Sequence, residues 1–170
     1  MTTKVPNSLT EQPPTLVAAV ASTSGTTVDF ASIPSWVNKI TISLNGVSTN
    51  AASSFIVQLG TAAGFEATSY VSAYAVITSA AAAAFATGTT GFVIVATSLA
   101  ADTVTGTVVL TRLSGNTWMQ SAIMYRSSAG TSTIGYSTGS KTLADVLTQL
   151  RVGTIAGDTL DAGSVSILYE

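Results

Sequence analysis

The stretch that decides the fold is Lys39-Ile-Thr-Ile-Ser-Leu-Asn45, in which apolar and polar residues alternate without a break. Its three apolar residues, Ile40, Ile42 and Leu44, fall on one face of an extended chain. Period-two alternation is typical of a strand with one face in the core and one face toward solvent. The Asn45-Gly46 pair that follows predicts a tight turn at the end of this strand.

Similar patterns on both sides of this stretch predict further strands. Ser114-Gly-Asn116 predicts a hairpin turn, with Trp118 at the start of the returning strand. The predicted strands are Thr105–Leu113, Thr117–Arg126, Ser54–Leu59, Gly91–Ala96, Thr131–Tyr136, Leu147–Val152 and Val165–Tyr169. The residues expected to face the core are Ile40, Ile42, Leu44, Val108, Leu110, Val165 and Ile167.

Helix signals are confined to two short segments. Five consecutive alanines lie within Ser79–Phe85, and alanine has the highest helix propensity. A helical turn is also expected at Thr142–Val146. Many short strands with at most two short helices predict an all-β fold, an antiparallel β-sandwich or jelly-roll-like domain over residues 16–170.

Residues 1–15 differ from the rest and predict an extended N-terminal arm. Pro6, Pro13 and Pro14 disfavour both helix and central strand, and most of the other residues are polar. Extended segments bind partners by pairing their backbone with an exposed sheet edge. The arm is therefore expected to contact another subunit. Its candidate contact residues are Lys4, Val5, Pro6, Asn7, Pro13 and Pro14.

The composition argues against most kinds of catalysis. The chain has six basic and eight acidic residues among 170, and neither histidine nor cysteine. Histidine would supply a proton shuttle near neutral pH, and cysteine a thiolate nucleophile or zinc ligand. Soluble proteins average about a quarter charged residues, so a chain with only 8% has a surface suited to burial against other subunits. We expect a non-enzymatic protein without a cofactor.

The charge distribution also indicates whether the chain could bind nucleic acids or insert into a membrane. The six basic residues are scattered and the net charge is −2, so no cluster of cations that could bind phosphates is expected. Residues 67–101 carry no charge, but Ser72, Thr78 and Ser79 interrupt the apolar run before a Gly- and Thr-rich break at 87–91. Spanning a bilayer takes about 20 predominantly apolar residues. Neither membrane insertion nor a secretion signal at the N-terminus is expected.

Two loops contain candidate site residues. Asp158 and Asp161 lie between Gly157 and Gly163, where two carboxylates are weak candidates for a metal site and better suited to capping turns. Phe65, Glu66 and Tyr70 lie in the loop 61–70, where they are candidates for surface recognition. Packing inside the protein or between subunits is the alternative for Tyr70, and the favoured role for Trp36 and Trp118.

Several segments resemble a known group of proteins. They are Lys4–Ser8, Gly25–Asn50, Val57-Gln-Leu-Gly60, Ser114-Gly-Asn-Thr-Trp118 and Asp161–Glu170. Together they resemble a family of small virion structural proteins of tailed bacteriophages, whose members are usually labelled tail fibre or phage structural protein. Residues 61–90 lie outside the resemblance, and the family offers no catalytic residues.

The resemblance implies a location and partners that composition alone does not. It implies a virion protein, assembled in the cytoplasm of the bacterial host, that forms a homo-oligomer, most readily a trimer, and contacts other virion subunits. A tail-fibre or adhesion-type module would also contact a glycan or protein on the host surface. The alternative is a capsid decoration protein, a head cement or head fibre attached to the major capsid protein.

Overall fold

The computed structural model describes residues 12–77, 84–97, 99–129 and 132–170, and all regular structure within them is β-strand. The thirteen strands are β1 (Thr15–Ala21), β2 (Thr27–Phe30), β3 (Lys39–Thr49), β4 (Ser54–Thr61), β5 (Gly64–Phe65), β6 (Val71–Ile77), β7 (Ala84–Gly88), β8 (Phe92–Ala96), β9 (Thr103–Ser114), β10 (Thr117–Ser127), β11 (Thr133–Thr142), β12 (Gln149–Thr154) and β13 (Leu160–Tyr169).

The strands form two antiparallel sheets packed against each other, which confirms the predicted β-sandwich. The larger sheet has eight strands in the order β1-β13-β3-β9-β10-β11-β6-β7. The smaller sheet has the order β2-β12-β4-β5, and β8 also pairs with β4. Three long strands, β9, β10 and β11, are joined by short connections and form the centre of the larger sheet.

The core lies between the two sheets. The residues that the alternation predicts to face the core are buried there. Ile40, Ile42 and Leu44 are all buried, as are the other four residues predicted to face the core (Val108, Leu110, Val165, Ile167). β8 is buried along its apolar run from Phe92 to Val95, as expected of a strand covered on both faces.

The turn predicted at Asn45-Gly46 is wrong, because β3 continues through it as a β-bulge. Between the pairs Leu44↔Gly106 and Val47↔Val104, β3 has two residues where β9 has one. Gly46 adopts the left-handed φ of 62°, and its amide donates a hydrogen bond to the Thr105 hydroxyl at 3.0 Å. A glycine that tolerates positive φ serves a bulge as well as a hairpin turn.

The other local predictions have mixed outcomes. The hairpin at Ser114-Gly-Asn116 is confirmed, and Trp118 is buried behind it. No helical turn forms at Thr142–Val146, where the backbone bends between β11 and β12. Within Ser79–Phe85, residues 79–83 lie outside the described residues, and Phe85 belongs to strand β7.

Five strands of the described residues are not predicted from the sequence, because their alternating runs are short or absent. These are β1, β2, β5, β6 and β7, three of which fall within residues 61–90. The predicted strands near β11 and β12 have shifted bounds, and β11 extends to Thr142.

The predicted arm is shorter at its C-terminal end, since Thr15 already pairs with Tyr169 as the first residue of β1. Pro13 and Pro14 are exposed just before this strand. Lys4, Val5, Pro6 and Asn7 lie outside the described residues. Within the described ranges, no helix is long and apolar enough to cross a membrane.

Candidate interaction surface

Tyr70, expected as a candidate for surface recognition, is instead a core residue with only 2% of its surface exposed. Its hydroxyl accepts a hydrogen bond from the Leu59 amide at 2.7 Å and donates to the Glu66 carbonyl at 3.0 Å. Its ring packs edge-on against Phe92, with centroids 4.9 Å apart. Burial raises the pKa of this phenol well above its ordinary value, so it stays a neutral donor. Tyr70 is the structural anchor of the loop 61–70.

Glu66 is held by an ion pair with a buried lysine. Its carboxylate lies 2.6 Å from the Lys141 ammonium and also accepts the Ala144 amide at 2.8 Å. The Lys141 ammonium donates to the Thr68 carbonyl at 3.0 Å and lies 5.2 Å from the centroid of the Tyr70 ring. Burial opposes ionisation of Glu66, but the hydrogen bonds and charge of its partners outweigh it and lower its pKa.

Phe65 also has a partner within the chain. The Arg151 guanidinium lies 3.8 Å from the centroid of the Phe65 ring, at stacking distance. The same guanidinium binds both oxygens of Asp29, at 3.0 and 2.6 Å. All three residues predicted for recognition are therefore engaged by their own chain, although Phe65 and Glu66 remain partly exposed.

The two candidate carboxylates for a metal have separate hydrogen-bond partners. Asp158 accepts the Thr154 hydroxyl at 3.2 Å, while its own amide donates to that hydroxyl at 2.9 Å, as in a capped turn. Asp161 lies in β13 rather than in a loop, and accepts a hydrogen bond from the Ser48 hydroxyl. Within the described ranges no three acidic, histidine or cysteine residues come together in a way that could hold a metal ion.

The most unusual surface is on the larger sheet, on the side away from the core. Alternation along β9, β10, β11, β6 and β7 directs every second side chain to this side, which we call the outer face. Its residues are Thr105, Thr107, Val109, Thr111, Leu113, Met119, Ser121, Ile123, Tyr125, Ile134, Tyr136, Thr138, Ser140, Val71, Ala73, Ala75, Phe85 and Thr87.

Large apolar residues are exposed across this face. Ile123 pairs with Tyr136, and Tyr125 pairs with Ile134, on the adjacent strands β10 and β11. Val71 and Phe85 are 72% and 70% exposed. Exposed apolar side chains scattered singly are ordinary, whereas a contiguous apolar patch marks a binding surface.

The face carries no charge among its described side chains, because the charged residues of these strands point the other way. Arg112 and Arg126 direct their guanidinium groups to the backbone carbonyls of Ser35 and Ala96. Lys141 is buried and paired with the partly exposed Glu66. Ion pairs lie outside this face. Asp29 and Arg151 pair on the outer side of the smaller sheet, and Lys39 of β3 pairs with Glu170 at the border of the face on the larger sheet.

Three shallow grooves lie between the outward side chains. One of about 270 Å³ lies between Phe85 and Tyr136, and another of about 290 Å³ lies between Tyr136 and Ile123. The third, of about 360 Å³, is lined by Val71 and Met119. Each groove is large enough to admit a side chain of a partner.

The sequence of β10 contains a signal for this face. In β10, Trp118, Gln120, Ala122 and Met124 are buried, while the intervening residues include Met119, Ile123 and Tyr125. An antiparallel strand with one solvated face normally carries polar residues there. Apolar residues at both parities therefore indicate a strand that is covered on both sides.

No family model, no curated protein and no solved structure matches this chain. Its own residues define an antiparallel β-sandwich with an uncharged, largely apolar outer face.

Proposed function

We propose that this chain is a non-enzymatic structural subunit of a tailed-phage virion, of the tail-fibre or adhesion type, that works as a homo-oligomer. The observation that carries the proposal is the outer face, since an uncharged apolar surface of this extent suits permanent contact with protein. The virion setting is supported by the resemblance of residues 25–50 and the other segments named above.

A second candidate, capsid decoration, is favoured by one specific observation. Phe65, Glu66 and Tyr70, the residues expected to meet a host receptor, are engaged by Arg151, Lys141 and Leu59 of the same chain. A subunit that clamps its neighbours and binds no host molecule needs no such exposed loop. The two candidates differ in where the protein lies on the particle.

The test is immunogold labelling of intact virions with an antibody against the folded chain. Label at the tail tip or fibres is the expected result. Label over the head would instead support capsid decoration. Purified virions that contain no copy of the chain, by labelling and by mass spectrometry, would contradict both. A non-structural phage protein from the same lysate serves as the control for carry-over.

A further inference from the structure

We infer that the outer face is the contact between copies of this chain, so that the larger sheets of neighbouring subunits pack against each other. The inference deepens the proposed function and rests on it, because it names the surface through which the structural subunit assembles. It follows from the size, chemistry and shape of the face.

The face is about three quarters of the size of one side of a stable protein interface. Each outward side chain occupies about 33 Å², since it lies about 4.8 Å from the next strand and about 6.8 Å from the next outward residue on its own strand. The eighteen outward residues therefore cover roughly 600 Å², and on β3 the exposed Lys39–Glu170 ion pair borders them next to Thr111. A stable interface buries about 800 Å² on each partner.

The chemistry of the face favours a second copy over other partners. Burying an unpaired charge is costly, so a partner for this face must itself be almost uncharged where the two meet. A copy of the same face meets that condition. Interfaces between identical subunits are also depleted of charge and enriched in aromatic residues and methionine, as here with Tyr125, Tyr136, Phe85 and Met119.

The shape of the face suits interdigitation. Tyr136 lies near its centre, on the middle strand β11, flanked by Ile123 on β10 and Ala75 on β6. Grooves of about 270 and 290 Å³ border it on the two sides. Side chains from one copy can enter the grooves of another, as side chains of packed sheets do in a sandwich core. In a trimer, three such faces would surround one axis.

The chain offers a closely matched pair of variants to test the inference. Ile123 on the outer face is 59% exposed, and Ile155, in the turn after β12, is 53% exposed. The substitutions Ile123→Glu and Ile155→Glu make the same chemical change at similar exposure. Only the first introduces a charge into the proposed contact.

The experiment is sedimentation equilibrium of the full-length chain and both variants, with far-ultraviolet circular dichroism to show that each is folded. The unaltered chain and Ile155→Glu should be oligomers of the same mass. Ile123→Glu should weaken association by roughly 30-fold or more, the effect expected at an interface hot spot. If Ile123→Glu does not fold, the milder variant Ile123→Thr replaces it. Threonine keeps a β-branched side chain and should also weaken association.

Three results would overturn the inference. They are a monomeric unaltered chain, an Ile123→Glu variant that keeps the oligomer mass, and equal dissociation by both glutamate variants. If the chain is a monomer and Ile123 instead contacts another virion subunit or a polysaccharide, the outer face binds that partner and not a second copy. Labelling of virions is independent of these outcomes, so failure of this inference is distinguishable from failure of the proposed function.

Discussion

At the scale of the residue, burial separates the side chains that hold the fold from those available for contact. Ile42 is fully buried on β3, between its partners Val108 on β9 and Ile167 on β13. Ile123 belongs to the same sheet, but its side chain lies on the opposite side. The same residue type therefore supports the core at one position and the proposed contact at the other.

Replacing Ile42 with alanine should destabilise the protein by roughly 2–5 kcal/mol, because it leaves a cavity between the two sheets. Urea unfolding followed by tryptophan fluorescence measures the change. Ile155→Ala is the control and should alter the free energy of unfolding by about 0.5 kcal/mol at most. A cost below about half a kcal/mol for Ile42→Ala would mean that the face of β3 is wrongly assigned.

Replacing Glu66 with glutamine should destabilise the protein by about 1–3 kcal/mol at pH 7, because the buried Lys141 ammonium loses its counter-charge. The pKa of Glu66 is lowered by folding, so its contribution is present above the ordinary value of 4.5. The contribution is lost as the pH falls through the lowered folded value. Urea unfolding should show a smaller difference in the free energy of unfolding between variant and parent at pH 3 than at pH 7.

An equal gap at both pH values would show that the carboxylate charge is not what stabilises this contact. Asp145→Asn is the matched control. Asp145 is exposed, and among the described contacts its carboxylate accepts only the amide of Val146, the next residue. This substitution should change stability little at either pH.

The individual core residues could be predicted from the sequence, but the environment of the site residues could not. Alternation alone identifies Ile40, Ile42 and Leu44, because period two fixes the face of a strand. The sequence predicts a loop at Tyr70, but it does not show that Phe92 and Lys141 come to this residue from β8 and β11. Long-range contacts of that kind depend on the order of strands in the sheet.

At the scale of the element, the bulges of β3 and β13 show why turn signals were misleading. Gly46 and Gly163 face each other, and a Cβ added to Gly163 would lie 2.5 Å from the Gly46 backbone. Gly163 has a φ of 88°, which side chains other than glycine rarely adopt. Gly163 therefore permits the close approach of the two strands, and Gly46 supplies the positive φ of the bulge, whereas the sequence alone indicates a turn and a loop.

The N-terminal segment can be tested as a separate element. Deleting residues 2–12 should leave the thermal midpoint nearly unchanged, since the deletion stops before β1. If the arm attaches the subunit to the particle, the truncated chain should be missing from assembled virions. Differential scanning calorimetry and quantitative mass spectrometry of purified virions provide the two readouts.

Deleting residues 2–21 serves as the comparison, because it also removes β1 and exposes the edge of β13. This longer deletion should lower the thermal midpoint through the loss of strand pairing and of the contact of Val17 with the core. Incorporation of the shorter deletion at normal copy number would place the attachment in the sandwich instead of the arm.

At the scale of the whole molecule, the two outer surfaces of the sandwich differ in chemistry. The smaller sheet carries the paired charges of Asp29 and Arg151, and its loop 61–70 is tied by internal contacts. The larger sheet presents the uncharged outer face, with the Lys39–Glu170 ion pair at its β3 border. The sequence predicted the sandwich and a need for burial against other subunits, but not which surface would meet them, because that depends on how the two sheets are folded together.

The most direct test of this arrangement is the mass of the unaltered chain in solution, measured by sedimentation equilibrium from about 1 to 100 µM. If the outer face is buried between copies, the chain should sediment as an oligomer whose mass is a whole multiple of 17.1 kDa. A trimer would have three times that mass. Its mass should persist in about 0.5 M salt, because contacts between uncharged faces are not screened. A single species of 17.1 kDa throughout this range would contradict the central claim.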